Sequence, residues 1–231
     1  MKRIASIAWK WTKRILISFF VLSIVSTILF RWVPVPFTPL MIIRCLEQVS
    51  AGKAITLKKD WQPLDSIAPN LPLAVITSED QKFEEHFGFD IEAIEKAQKY
   101  NERMQGKKVR GASTISQQTA KNVFLSTSRS YIRKAFEVYF TFLIEIFWSK
   151  ERIMEVYLNV IEMGPGIYGA EAAAQYYFHK PAKELTRPES AAIAAILPNP
   201  LRWSASKPTP YIKKKTRWIL YHMNKVDVKG F

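Results

Sequence analysis

The amino-acid sequence predicts a mainly helical, all-α domain that follows one N-terminal membrane helix. An uncharged run of 16 residues, Ile15 to Phe30, lies near the N-terminus, and Trp32 and Val33 extend it. From Leu71 onward, apolar residues recur at helical spacing, and no convincing alternation of apolar and polar residues indicates a strand. One membrane-attached helical domain is therefore expected.

The composition is that of a globular protein. Of the 231 residues, 48% are apolar and 23% are charged, which excludes wholesale disorder and a low-complexity fibre. The single cysteine, Cys45, excludes an internal disulfide framework and a cysteine-rich metal site, and three histidines argue against a His-rich metal centre. The formal charge of +14 indicates an anionic partner: phosphate, nucleic acid or an acidic membrane surface.

The N-terminal apolar run approaches the roughly 20 residues that cross a bilayer. Lys10, Lys13 and Arg14 precede it and no acidic residue occurs before Glu47, so the positive-inside rule places the N-terminus in the cytoplasm. A cleaved signal peptide and a buried core helix are the alternatives, but no A-x-A cleavage site follows the run. Outside the membrane, the basic domain would meet anionic lipids or lipid-linked phosphates rather than nucleic acid. We divide the chain into a cytoplasmic tail (1–14), a transmembrane signal anchor (15–33), a juxtamembrane stalk (34–58) and an external domain (59–231).

Beyond the anchor, prolines favour an extended stalk, and Thr38 to Gln48 is expected to form a juxtamembrane helix. The remaining predicted helices are 71–86, 90–105, 113–124, 129–148, 150–162, 168–178, 188–197 and 209–225.

The first of four short motifs runs from Glu79 to Gly88. If the helix extends through His86, then Glu79, Phe83 and His86 share one stripe, and Gly88 follows as a stop signal. Taken alone, the motif also fits an amphipathic helix with a core phenylalanine and solvated polar groups.

The second motif runs from Gly111 to Asn122 and follows the basic segment 106–111. With Ser113 as the N-cap, Thr114, Gln118 and Lys121 form a polar stripe on the next helix. A helix N-terminus, amides and an ammonium group suit a ligand that carries phosphate and sugar. A solvated helix face is the alternative.

The third motif is Arg133-Lys134-Ala135-Phe136-Glu137, which alone also fits a surface ion pair. The fourth joins Glu155-Val156-Tyr157-Leu158-Asn159 to a glycine-rich turn from Gly164 to Gly169, and tight packing would explain much of it.

In this order and spacing, the four motifs closely resemble the peptidoglycan glycosyltransferase family (glycosyltransferase family 51), and specifically its monofunctional biosynthetic members. The family patterns E-D-x-x-F-x-x-H-x-G, G-x-S-T-I-T-Q-Q-x-x-K-N, R-K-x-x-E and E-x-Y-L-N are met in turn by residues 79–88, 111–122, 133–137 and 155–159. Ser116, where the family usually has Thr, is the one visible departure and keeps the hydroxyl. The resemblance covers roughly residues 60 to 205.

The resemblance implies a lysozyme-like fold and the polymerisation of lipid II into β-1,4-linked glycan, with inversion and release of undecaprenyl pyrophosphate. By the family's pattern, Glu79 is the general base and Glu137 the second catalytic carboxylate. The departing pyrophosphate needs cations rather than an acid, because charge-assisted hydrogen bonds stabilise it. The residues expected to bind substrate or shape the cleft are Asp80, Phe83, His86, Thr114, Gln117, Gln118, Lys121, Asn122, Arg133 and Lys134.

The same resemblance implies a single-pass protein of the bacterial cytoplasmic (inner) membrane, with its catalytic domain on the periplasmic or extracytoplasmic side. The expected partners are lipid II, the growing glycan strand and membrane lipids; other cell-wall synthesis and division proteins are candidates, and nucleic acid is not. The sequence requires no cofactor and assigns no certain metal ligand, but it leaves room for a divalent cation, Mg²⁺ or Mn²⁺.

Two other classes of function are weighed against this one. A lysozyme-like lytic enzyme would share the fold and a catalytic Glu, but it would not need Lys121, Arg133 and Lys134 near its leaving group. An inactive membrane-anchored scaffold for the cell-wall machinery would need none of the four motifs.

Overall fold

The computed structural model describes residues 2–105, 109–128 and 130–226, with side chains from Trp9 onward. Residues 106–108 of the predicted basic segment lie outside the described residues. The helices within the described part are α1 (Lys2–Leu29), α2 (Pro39–Ser50), α3 (Asn70–Glu79), α4 (Ile91–Arg103), α5 (Ile115–Phe124), α6 (Tyr131–Phe147), α7 (Lys150–Val160), α8 (Ala170–Phe178), α9 (Arg187–Ile196) and α10 (Pro210–His222).

A small three-stranded sheet accompanies these helices. It consists of β1 (Lys58–Lys59), β2 (Glu162–Gly164) and β3 (Ile167–Tyr168), in the order β1-β3-β2. The β1 strand pairs parallel with β3, and β2 pairs antiparallel with β3 through an irregular register. Each strand has only two or three residues, which is too short for a recognisable alternation of apolar and polar residues in the sequence. The all-α fold class is confirmed.

Helix α1 contains a segment, Trp9–Leu29, that is 21 residues long and apolar enough to cross a membrane. The helix begins and ends earlier than the predicted 15–33 anchor. Its C-terminal half packs against α6, where Ser23 Oγ and Tyr139 Oη lie 2.6 Å apart. Trp148 Nε1 also donates to Thr27 O at 2.7 Å. The anchor is therefore joined to the domain by polar contacts as well as by apolar packing.

The core lies among α3, α5, α6, α7, α8 and α9. Helix α3 packs against α9 and α10, and α5 packs against α6 and α7. Helices α8 and α9 are rich in buried alanine, whose small side chains allow helices to approach closely. This core holds the ends of α3 and α5 in fixed positions next to each other.

The predicted helix 71–86 is shorter than expected, because α3 ends at Glu79. Asp80 has φ −162° and ψ 80°, and the chain then forms turns through Phe87. The Asp80 carboxylate instead accepts hydrogen bonds from another part of the chain, as described below. The prediction that Glu79, Phe83 and His86 share one helical stripe is therefore wrong.

Gly88 does not follow a helix end, yet its backbone needs glycine. Its φ is +78°, and a Cβ there would lie 2.7 Å from Thr141 Cγ2. The N-cap prediction for α5 is off by one residue, because Thr114 rather than Ser113 caps the helix. Thr114 and Gln117 form a capping box in which each side chain bonds the other's backbone N–H.

Candidate active site

Glu79, the predicted general base, lines a cavity of about 350 Å³. It is the last residue of α3, most of which is buried, so the helix end holds the carboxylate in one place. The side chain itself is 12% exposed and faces the cavity, which we call the Glu79 cavity.

Three groups surround the Glu79 carboxylate. Ser78 Oγ donates to Oε1 at 3.1 Å, and Gln118 Nε2 donates to Oε2 at 3.3 Å. Lys215 Nζ lies 4.0 Å from Oε1. Burial lowers the pKa of Lys215, and the negative charge of Glu79 opposes that lowering. An amide, a hydroxyl and an ammonium group thus fix the carboxylate.

Gln118 is itself oriented by a buried tyrosine. The Tyr157 hydroxyl donates to Gln118 Oε1 at 3.3 Å, so the Gln118 amide nitrogen is left to donate to Glu79. Burial raises the pKa of Tyr157 well above its usual value, and the charges of Glu79 and Asp80 add to the rise. The phenol therefore stays a neutral donor at physiological pH. The structure places the predicted residue Gln118 against Glu79, and it adds Tyr157, which lies in the fourth motif but was not among the predicted site residues.

Asp80 joins the first motif to the second. Its Oδ1 lies 2.9 Å from His86 Nε2, and its Oδ2 accepts the backbone N–H of Ile115 at 3.0 Å. Thr114 Oγ1 donates to Gly88 O at 2.7 Å, which adds a second link between the same two segments. These bonds place the N-terminus of α5 beside Glu79.

Several residues predicted to bind substrate lie beneath the cavity rather than in it. Phe83 is fully buried in the core, so it cannot touch a ligand. The Gln117 side chain bonds the backbone N–H of Thr114 in the capping box, and the His86 imidazole lies against Asp80. Asp80 and Thr114 reach the cavity lining although both are nearly buried. These residues shape the site.

Charged side chains from α4 and its surroundings line the outer part of the Glu79 cavity. Lys82 and Lys96 both pair with Glu92. Hydrogen bonds from these two ammonium groups lower the pKa of Glu92 to about 2. Arg110 and Trp218 complete this part of the lining.

Lys121 lines a second cavity of about 330 Å³, which we call the Lys121 cavity. Asn122 and Arg133 line it too. Burial lowers the pKa of Lys121; the charge of Glu137 opposes this, and the charges of Arg133 and Lys134 add to it. The structure thus brings together the cationic residues of the second and third motifs.

Glu137, the second predicted catalytic carboxylate, is a buried residue of α6. Its side chain is 4% exposed and pairs with both Arg133 and Lys134 of the same helix. The i, i+4 pair that could have been a surface ion pair is therefore largely buried. Because two cations surround one carboxylate, the cluster keeps a net positive charge for an anion.

Arg44 of α2 is a site residue that sequence reasoning missed. It lines the Lys121 cavity and pairs with Glu47 and with the buried Glu162. Arg44, Lys215 and Trp218 all lie outside the four motifs, so no sequence signal pointed to them.

The fourth motif is mainly structural. Asn159 Oδ1 accepts the N–H of Gln62, and Asn159 Nδ2 donates to Gln62 O, both at 2.8 Å. A Cβ on Gly169, whose φ is +84°, would lie 2.9 Å from Asn159 O. Tight packing thus explains this motif, apart from Tyr157.

The described side chains include no group of three or more His, Cys, Asp or Glu that could hold a metal ion. Glu137 is already paired with Arg133 and Lys134. The described residues that line the Lys121 cavity include three cations, Lys121, Arg133 and Arg44, and one carboxylate, Glu162, which pairs with Arg44.

Comparison with known proteins gives concordant matches. The family model described as Transglycosylase matches residues 47–224. A protein of Bacteroides thetaiotaomicron, named biosynthetic peptidoglycan transglycosylase, is 55% identical over 217 residues, which are 94% of this chain and 87% of that protein. Proteins with the same name from Bdellovibrio bacteriovorus and Pseudomonas putida (strain W619) are 53% and 52% identical, over 91% and 88% of this chain and 84% and 86% of their own. The resemblance drawn from the four motifs is thereby confirmed.

Proposed function

The chain belongs to the transglycosylase family, and we propose that it polymerises lipid II into β-1,4-linked glycan strands and releases undecaprenyl pyrophosphate. The observation that carries this proposal is that a candidate base and a group of candidate anion-binding cations line two cavities of the domain. The carboxylate of Glu79 lines one of them, and the cations Lys121 and Arg133 line the other. A transfer from pyrophosphate to a hydroxyl needs both, because one group must accept a proton while others stabilise an anion.

Glu79 is the general base in this proposal. It takes the proton from the 4-hydroxyl of the incoming GlcNAc as that oxygen bonds to C1 of the donor sugar. A base must lie within hydrogen-bond reach of the proton that it removes, and Ser78, Gln118 and Lys215 hold Glu79 in place for this step. The Glu79 cavity therefore receives the acceptor.

The Lys121 cavity receives the donor's pyrophosphate. As the bond from C1 to the phosphate oxygen breaks, the electron pair leaves with the pyrophosphate, and the C1 configuration inverts. Lys121 and Arg133 donate charge-assisted hydrogen bonds to this leaving group, and Lys134 adds positive charge. Glu137 positions the two cations of α6 that it binds. A lytic enzyme, whose leaving group is a sugar hydroxyl, has no use for this cluster.

Membrane anchoring places the domain where its lipid-linked substrate lies. Lys10, Lys13 and Arg14 lie at the N-terminal end of the apolar segment of α1, which supports a cytoplasmic N-terminus and an extracytoplasmic domain at the bacterial cytoplasmic membrane. In this position, membrane lipids contact the exposed apolar side chains of α1, and other cell-wall synthesis and division proteins are within reach.

The test is incubation of the detergent-solubilised protein with labelled lipid II, followed by separation of polymer on gels with and without lysozyme digestion. Lysozyme-sensitive polymer is expected from the wild type. Glu79→Gln should lower the rate by about 100- to 10,000-fold, the usual contribution of a general base. Glu85→Gln, which changes an exposed carboxylate in the same motif, is the matched control and should keep the wild-type rate.

Two outcomes would contradict the proposal. Release of fragments from preformed glycan, without polymer, would assign the protein to lytic enzymes. Absence of both activities in protein shown to be folded would favour a scaffold.

A further inference from the structure

Helix α10, which carries none of the four motifs, contributes one described side chain to the lining of the Glu79 cavity. Its buried residues Ile212 and Ile219 anchor it, and it packs against α9 and α3. On α10, Lys215 approaches Glu79, and one turn later Trp218 lines the cavity. The helix thus brings an aromatic side chain to the same cavity as the predicted base.

The Trp218 indole is held from one side. The His222 imidazole stacks on it with ring centroids 4.0 Å apart and an interplanar angle of 27°. His222 Nδ1 lies 2.8 Å from Trp218 O, and because a carbonyl only accepts, Nδ1 donates this bond. One face of the indole is therefore covered, yet Trp218 remains 44% exposed. The His222 ring leaves the other face of the indole uncovered, and Trp218 lines the Glu79 cavity.

Most of the other residues that line the cavity are polar or charged. Among the described residues that line the Glu79 cavity, Trp218 is the one aromatic side chain, and Lys82, Lys96 and Arg110 are among the charged ones. A pyranose ring has hydroxyl groups at its edge and C–H groups on its faces. A flat indole can cover such a face and remove it from water, while charged side chains bond the hydroxyls. The lining thus offers an aromatic surface for a face of the sugar ring and charged groups for its hydroxyls.

We propose that Trp218 is the stacking platform for the acceptor saccharide, and that His222 holds the indole in place for this contact. The proposal rests on the proposed function, since it assigns a specificity-determining residue to the acceptor side of the same reaction. Trp218 contacts the sugar that Glu79 deprotonates, and it does not contact the donor's pyrophosphate, which the Lys121 cavity receives.

The test separates the two substrates. The donor is a lipid-linked glycan whose terminal 4-hydroxyl is capped, so that it cannot accept, and labelled lipid II is the acceptor at varied concentration. Trp218→Leu keeps an apolar side chain but no ring, and it should raise the acceptor KM about tenfold, as expected for the loss of one aromatic contact. Trp218→Phe keeps a ring and should stay within about threefold of the wild type. The kcat and the donor KM should change little in both variants.

The matched control is Tyr211→Ala, which removes another exposed aromatic side chain of α10 that packs against Trp203 outside the cavity lining. It should leave the acceptor KM unchanged. An unchanged acceptor KM in Trp218→Leu, or an equal rise in donor and acceptor KM, would overturn the role of Trp218 while polymer formation by the wild type upholds the proposed function. Absence of polymer from the wild type would instead overturn the proposed function itself.

Discussion

Two buried carboxylates on α6, Glu137 and Glu145, lie eight residues apart and differ in the surroundings of the cations that pair with them. Their side chains are 4% and 3% exposed, and each pairs with at least one cation. Glu137 pairs with Arg133 and Lys134 of its own helix, and Arg133 lines the Lys121 cavity. Its cations therefore remain available to a ligand.

Glu145 is enclosed by protein. Ser116 Oγ of α5 donates to it, and Lys150 at the start of α7 pairs with it at 2.8 Å. The Lys150 ammonium also donates to His86 O at 2.7 Å and lies 4.7 Å from the centroid of the Phe83 ring. This cluster ties α5, α6 and α7 to the turns that follow Glu79. Burial of a charged side chain therefore does not by itself indicate a functional site. The cations that pair with it must also line a cavity that a ligand can enter.

The largest expected effect is on stability, from Glu145→Ala. The change leaves Lys150 largely buried without its carboxylate, and it should lower the free energy of unfolding by about 3 to 5 kcal/mol. Chemical denaturation in detergent, followed by tryptophan fluorescence, measures this. The exposed Glu151→Gln on the next helix is the control and should unfold like the wild type. A decrease of less than about 1 kcal/mol in the free energy of unfolding would show that the other contacts of this cluster hold it together without Glu145.

Glu137→Gln should act on catalysis instead. Lys134 is 44% exposed, and Arg133 lines the Lys121 cavity, so water can reach both cations when the carboxylate is gone, and stability should change less than in Glu145→Ala. The polymerisation rate should fall by about 100-fold or more, because the two cations lose the positions in which they stabilise pyrophosphate. The measurement is the initial rate with lipid II beside the same denaturation curve. If Glu137→Gln and Glu145→Ala lowered the free energy of unfolding by the same amount, the proposed difference between the two carboxylates would be wrong.

Lys121→Arg should produce the smallest effect, a change in pH dependence. Burial lowers the pKa of Lys121, so the ammonium loses its proton as pH rises through that lowered value, and attraction for pyrophosphate is lost on the alkaline side. Arg stays charged, so the alkaline fall of kcat/KM should move to higher pH, with neutral-pH activity within about tenfold of the wild type.

The pH–rate profile of kcat/KM against lipid II measures this effect. The partly buried Lys215, whose pKa is also lowered, is the alternative source of the alkaline limb. An unchanged limb in Lys121→Arg would therefore move the assignment away from Lys121.

Local sequence was enough to predict most of the helices, since helical periodicity and capping residues are encoded within a few positions. It failed at Glu79, where the 71–86 pattern continues but the helix ends. There the Asp80 carboxylate bonds His86 and the N–H of Ile115, the latter 35 residues away, and these tertiary hydrogen bonds replace a further helical turn. It also failed for Phe83, whose place in the motif does not reveal that it is fully buried.

The amino-acid sequence alone was enough to predict the helical fold class, the apolar N-terminal helix and the family, and it named Glu79, Lys121, Arg133 and Glu137 as candidate site residues. The fold class and the apolar helix follow from periodicity and composition, which are local properties of the chain, and the family and the candidate residues follow from the resemblance of the four motifs to a known family. Only the tertiary structure decided that Lys121 and Arg133 line one cavity and Glu79 another, that Glu145 is sealed, and that α10 brings Lys215 and Trp218 to Glu79. The physical reason is that the docking of one helix on another depends on the packing of the whole core, which no short segment of sequence encodes.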